Sequence, residues 1–161
     1  MNIRKALPGD LPEILRVYEA ARAYMRASGN PDQWGYDYPP EDMLENDIKI
    51  GQLYIGEDES GKIRLSFALI PGNDPTYNYI EGAWLNDEPY AAIHRVASDG
   101  EKKGAFAACA NFCAQNHKNL RIDTHEANLT MQHVMEKFGF VKCGRIYLEN
   151  GDPRIAYQLP R

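Results

Sequence analysis

The sequence predicts one α/β domain, with a mixed, mostly antiparallel central sheet of about seven strands flanked by about four helices. Three observations predict it. Between Ala92 and Phe140 two strand-turn-helix units stand in tandem, Ala92 to Ala97 into Ala105 to Gln115 and Leu120 to Thr124 into Asn128 to Phe138. Such a tandem sets neighbouring strands in one sheet with both helices packed on it. Upstream, helical periodicity alternates with short apolar runs, and downstream two strand-like runs flank the turn Glu149-Asn150-Gly151-Asp152. At 161 residues and 43% hydrophobic content the chain can bury one sizeable core, and no repeat, low-complexity tract or linker divides residues 1–161.

In chain order, Ile3 to Ala6 forms a first strand ended by Pro8-Gly9. Asp10 has N-cap chemistry, Glu13 completes a capping-box pattern, and Pro12 falls in the tolerant first turn. Leu11, Ile14, Leu15, Tyr18, Ala21 and Met25 recur at helical spacing, so a core-facing helix runs to about Arg26, ahead of Gly29. Glu41 to Ile50 reads as a short helix on Met43, Leu44 and Ile48. Leu53 to Gly56 and Ile63 to Ile70 read as a hairpin around Asp58-Glu59-Ser60-Gly61, and Pro71-Gly72-Asn73-Asp74-Pro75 breaks the sheet. Val141 to Leu148 and Arg154 to Gln158 are the closing strands.

Two segments carry too many turn formers or too little periodicity for an element. Asn30 to Pro40 holds Trp34, Tyr36 and Tyr38, aromatics that either anchor the loop to the core or line a binding mouth. Thr76 to Tyr90, with Tyr77, Tyr79, Glu81, Trp84, Asp87 and Glu88, is long for a plain connection and reads as a loop beside a site.

Chemistry concentrates at the turn Ser98 to Gly104. A glycine opening a helix lets an anion approach free backbone N–H groups, and the helix dipole favours negative charge there. Lys102 and Lys103 add cations beside that terminus, as a phosphate site needs; the alternative is an ordinary loop with solvated lysines.

These residues resemble the GNAT N-acetyltransferase superfamily, along nearly the whole chain. Arg95-Val96-Ala97-Ser98 resembles the strand that leads into that family's pyrophosphate loop, Glu101-Lys102-Lys103-Gly104-Ala105-Phe106 resembles the loop itself, and Asn128-x-x-Met131 through Gly139-Phe140 resembles the later helix. The resemblance implies transfer of an acetyl group from acetyl-CoA to a primary amine, without a covalent enzyme intermediate. It implies that Val96, Ala97 and Ser98 pair with the pantetheine arm, that Lys102, Lys103, Gly104, Ala105 and Phe106 hold the pyrophosphate, and that Asn128 reaches the arm. It places Trp34 and Tyr36 at the border of the acceptor site; Glu81, in the other irregular segment, is a further candidate substrate contact. The departures are Glu101 for Gln or Arg, Phe106 for Gly or Ala, Met135 for a thiolate-protonating tyrosine, and Ala91 for a basic glutamate.

With Ala91 unable to act as a base, His94 on the same strand is the candidate, since its ordinary pKa near 6.5 suits the task; a structural histidine is the alternative. Asp123-Thr124-His125-Glu126 and Glu81 are other candidates, the former serving equally well as a helix cap. His94, His125 and His133 match no metal spacing, so no metal is expected. There is no nucleophile elbow, Walker loop or dinucleotide fingerprint. Cys109, Cys113 and Cys143 form no paired framework and fit core thiols in a reducing cytoplasm. A net charge of −5 argues against nucleic acid, and no stretch approaches a membrane span or signal core. The partners expected are a small-molecule or peptide amine, with a homodimer as an option. The competing readings are a CoA-binding sensor without catalysis and an interaction module on the same fold.

Overall fold

The computed structural model describes residues 1–160. The chain runs β1 (Asn2–Lys5), α1 (Leu11–Ala27), α2 (Glu41–Lys49), β2 (Leu53–Glu57), β3 (Ile63–Pro71), β4 (Glu81–Gly82), β5 (Ala91–Ser98), α3 (Ala105–Asn116), β6 (Asn119–Thr124), α4 (Leu129–Phe138), β7 (Val141–Tyr147) and β8 (Pro153–Pro160), with single 3-10 turns at Pro8–Asp10 and Pro75–Tyr77. The strands make one sheet of order β1-β2-β3-β5-β6-β8-β7-β4, antiparallel at every junction except β5–β6.

Among the described residues the expected four helices are present, and the expected seven strands are eight. The extra strand is β4, two residues on the outer edge of β7. It rests on two glycines: a Cβ on Gly82 would lie 2.3 Å from the Cys143 carbonyl oxygen, and one on Gly144 would lie 2.1 Å from that of Glu81. The Asp10–Glu13 capping box also forms differently. The Asp10 carboxylate accepts from the Leu7 N–H at 2.7 Å and from Arg4 at 2.8 Å and 3.0 Å, so it caps the 3-10 turn ahead of α1, while Glu13 pairs with Arg16 on the helix surface.

The strand alternation buries apolar residues on both faces. Ile93, Leu120, Ile122 and Tyr157 pack on one face under Cys109, Ala110 and Cys113 of α3 and Met135 of α4. On the other face Ile14, Val17 and Tyr18 of α1 and Leu44 and Ile48 of α2 cover Leu53, Ile55, Ala68 and Ala97. Cys109 and Cys113 are thus core residues, and burial pushes the Cys109 thiol up.

Two features of β5 open the middle of the sheet. Its parallel pairing with β6 stops at Ile93–Ile122, leaving His94 to Ser98 without a strand on that side. Against β3 the register runs Ala68–His94 and then Ser66–Ala97, so one extra residue bulges from β5. Arg95 sits in the bulge at φ +54, a left-handed conformation costly for an arginine. It is held at both ends. The guanidinium donates to both Asp47 carboxylate oxygens at 2.9 Å and 3.1 Å, and the Tyr18 hydroxyl donates to the Arg95 carbonyl at 2.6 Å.

Candidate active site

The opening between β5 and β6 separates two cavities that share walls. The larger, about 610 Å³, is an apolar groove between the β5 edge, α1, α3 and α4. Val96, Ala97, Ser98, Lys102, Gly104, Ala105, Phe106 and Asn128, all expected at a cofactor site, line it. Met131, Val134 and Phe138 add apolar wall. The smaller, about 380 Å³, is polar, and Trp34, Asp74, His94, Arg95, Asp123 and Arg154 contribute to it. Met25, Val96, Asn128 and Met131 border both.

The groove's polar end is built by the turn into α3. Gly104 takes φ +78 as the residue before the helix, a conformation glycine adopts without strain, and nothing lies within 4 Å of where its Cβ would be. The first helical bond is Ala108 N–H to the Gly104 carbonyl at 3.0 Å, so the N–H groups of Ala105, Phe106 and Ala107 have no intrahelical acceptor. Asp99 anchors the turn by accepting from Arg16 and Arg64, each at 3.0 Å, and from the Glu101 N–H at 3.1 Å. Burial raises its carboxyl pKa, but these donors outweigh that and hold it below the usual range. The Phe106 ring packs against Phe138 and Phe140, so this departure from the family loop leaves the groove open. Lys102 pairs with Glu59 at 3.0 Å between exposed side chains, a contact worth little. Lys103 is exposed and lies outside the groove wall.

In the polar cavity His94 Nε2 lies 2.7 Å from Asp74 Oδ2. Asp74 also accepts from the Thr76 N–H and hydroxyl at 3.0 Å and 2.7 Å. Burial raises the Asp74 pKa, but the bonds from His94 and Thr76 prevail and bring it down to about 2. An ionised carboxylate only accepts, so Nε2 carries the proton and Nδ1 is the basic atom of the neutral ring. The Tyr77 ring lies tilted against the His94 ring, 5.9 Å between centres, and its hydroxyl donates to Asp123 at 2.7 Å. Burial and Asp123 push the Tyr77 hydroxyl pKa well up, so it stays a donor.

The other expected acceptor contacts divide. Trp34 is in the wall of the polar cavity, packed on Tyr18 and Tyr38. Tyr36 is 73% exposed beneath the Arg26 guanidinium, and Glu81 is exposed on β4 where Tyr147 donates to it; neither borders a cavity described above. Both sat in segments without periodicity, where direction cannot be derived from spacing. Asp123 and Thr124 line the polar cavity. His125 and Glu126 accept at the turn before α4, from the Ala127 N–H and the Gln132 side chain. Asn128 caps α4 by accepting from the Met131 N–H at 3.0 Å, and its amide donates to Gln33 at 2.9 Å, tying the helix start to the Trp34 loop. Met135 is in the core, so no hydroxyl stands at that position. Asp74, Gln33 and Arg154 are functional candidates that sequence reasoning missed; the Asx turn Asp74-x-Thr76 was the one local signal for any of them.

Comparison of the whole structure identifies its relatives. An acetyltransferase of the GNAT family from Streptococcus agalactiae superposes with a TM-score of 0.87 at 32% identity, covering 99% of this chain and 95% of its own. The chain belongs to the GNAT family of acetyltransferases. A putative acetyltransferase from Staphylococcus aureus is similar at TM-score 0.72 and 26% identity over 99% of both chains. A GNAT-family acetyltransferase from Listeria monocytogenes shares the fold at TM-score 0.71 and 21% identity, over 98% of this chain and 93% of its own. No protein-family model matches this GNAT sequence, and no curated protein does. No group of three or more His, Cys, Asp or Glu side chains able to hold a metal occurs among the described residues, and none of the described helices is long and apolar enough to cross a membrane.

Proposed function

We propose that this GNAT-family protein transfers an acetyl group from acetyl-CoA to a primary amine, the acyl donor lying in the apolar groove and the amine in the polar cavity. The observation that carries this is the junction. The two cavities meet across Val96, Asn128 and Met131, where β5 leaves β6 and an amine nitrogen in one could reach an acyl carbon in the other. The donor's diphosphate would accept from the Ala105, Phe106 and Ala107 amides at the positive end of α3, and the unpaired β5 edge would offer main-chain partners to its amide-bearing arm.

His94 is the base in this reading. An alkyl ammonium near pKa 10.4 costs about 4.6 kcal/mol to deprotonate at pH 7. His94 Nδ1 takes that proton, directly or through water, while Asp74 fixes the ring and stabilises its cation. The nitrogen then forms the C–N bond as the C–S bond breaks. The thiolate leaves with the C–S electron pair, the nitrogen sheds its second proton to solvent as the amide forms, and the thiolate takes a proton from solvent; an ordinary thiol pKa near 8.5 makes a dedicated acid dispensable. Holding both substrates supplies up to about 7–11 kcal/mol.

Calorimetric titration with acetyl-CoA and with desulfo-CoA, followed by thiol-release assays on an amine panel, tests the reading. One micromolar site per chain and amine-dependent thiol release are expected. Binding without release on any amine would favour a sensor, and no binding at all would overturn the proposal.

A further inference from the structure

Arg154 differs from Arg22, Arg95 and Arg121, the other arginines largely withdrawn from water. Arg95 is paired with Asp47, Arg22 with Glu19, and Arg121 lies between the rings of Trp84 and Tyr90, 4.1 Å from each. Arg154 is 7% exposed and lines the polar cavity, yet its one hydrogen bond goes to the carbonyl of neighbouring Pro153 at 2.9 Å, and it has no ion pair among the described residues. A guanidinium held this far from water without a counter-ion is costly, and an incoming anion offsets that cost. Its planar fork suits a carboxylate gripped by two parallel bonds.

The remaining charges of the cavity give the ligand its polarity. Arg95 is already neutralised by Asp47, and Asp74 is bound to His94. Asp123 accepts only a neutral hydroxyl, from Tyr77, and so keeps its charge uncompensated. Register puts Arg154 and Asp123 on one face of the sheet: Asp123 faces Ala156 on β8, and Arg154 is two residues from Ala156 on that strand. One unspent cation and one unspent anion therefore line the same cavity of about 380 Å³, unpaired with each other.

The geometry points to an acceptor that carries a carboxylate, an amino acid or another small amino carboxylate, with its carboxylate on Arg154 and its ammonium on the Asp123 and Asp74 side, beside His94. This rests on the acetyl-transfer reading and narrows it to one substrate class.

The test uses the full chain saturated with desulfo-CoA, so that nothing turns over. Ligand-observed NMR measures binding of α-amino acids and of a ladder of ω-amino acids, each against its carboxamide and against the aminoalkyl phosphate of equal length. Expected is at least one carboxylate binding about tenfold or more tightly than its carboxamide. Arg154→Gln should remove that preference, and Arg154→Lys, which keeps the charge and loses the fork, should retain part of it. A wild type without the preference, a preference surviving in Arg154→Gln, or tighter binding of phosphates than of every carboxylate would each overturn the inference. Desulfo-CoA affinity in the same samples reports folding of the variants. It also separates the two failures: its loss in the wild type defeats acetyl transfer, whereas intact binding without carboxylate preference defeats only this inference.

Discussion

His94 and Asp74, twenty residues apart in sequence, meet at 2.7 Å in the wall of the polar cavity. If this pair delivers the proton acceptor, His94→Ala should lower kcat by roughly 10²–10⁴-fold while the acetyl-CoA Kd stays within about twofold. The acidic limb of the pH profile should vanish with it. Thiol-release rates between pH 5.5 and 9 are the check, and an unchanged profile would return His94 to a structural role.

The same pair makes a stability statement with a definite sign. Asp74 in the folded protein titrates at about 2, below its ordinary 3.8, so the unfolded chain holds the proton more tightly. Its contribution is therefore complete above about pH 4 and is lost as pH falls towards 2. Allowing for partial solvent screening it amounts to ~1–2 kcal/mol. Asp74→Asn should lose about that much at pH 7 and almost nothing at pH 2, measured by urea unfolding at both. Equal losses would mean that packing, not charge, is what Asp74 supplies.

Gly104→Asp puts a side chain and a negative charge where the groove meets α3. Space is open there, so the stability cost is the left-handed backbone, about 1 kcal/mol. The acetyl-CoA KM should rise at least tenfold. Gly61→Ala, with φ +82 in the β2–β3 turn, serves as the backbone control and should leave KM alone. Equal KM values for the two variants would remove the donor from this end of the groove.

Gly144→Ala tests the outer edge of the sheet. The new methyl would overlap the Glu81 carbonyl, so β4 must separate from β7 at a cost of about 1–3 kcal/mol. A shifted urea midpoint is expected, with acetyl-CoA affinity unchanged because neither glycine borders the groove.

Most of the scaffold was legible in the sequence because period is a local property. The apolar rows of α1 and the tandem units from Ala92 to Phe140 needed no knowledge of partners, and Gly104 announced itself by its place before a helix. What was not legible is what the topology brings together. Arg154 reads as one more strand residue until β8 sets it beside the cavity. Nothing local predicts a left-handed arginine; Arg95 is held there by Asp47, which is forty-eight residues away, and by Tyr18. Two residues of β4 carry no period, and the two glycines that let them form, Gly82 and Gly144, meet across β5, α3, β6 and α4.

The groove's polar equipment is mostly main chain: a strand edge from His94 to Ser98 and three amides opening α3. An amide is the same group whatever side chain it carries. The side chains around it, Glu101 and Phe106 among them, can vary while those groups stay where they are. A comparison that scores letters then falls silent long before one that scores shape, and here family models find nothing where a superposition reaches a TM-score of 0.87. What the groove offers a ligand is thus written in the path of the backbone more than in the identity of its side chains.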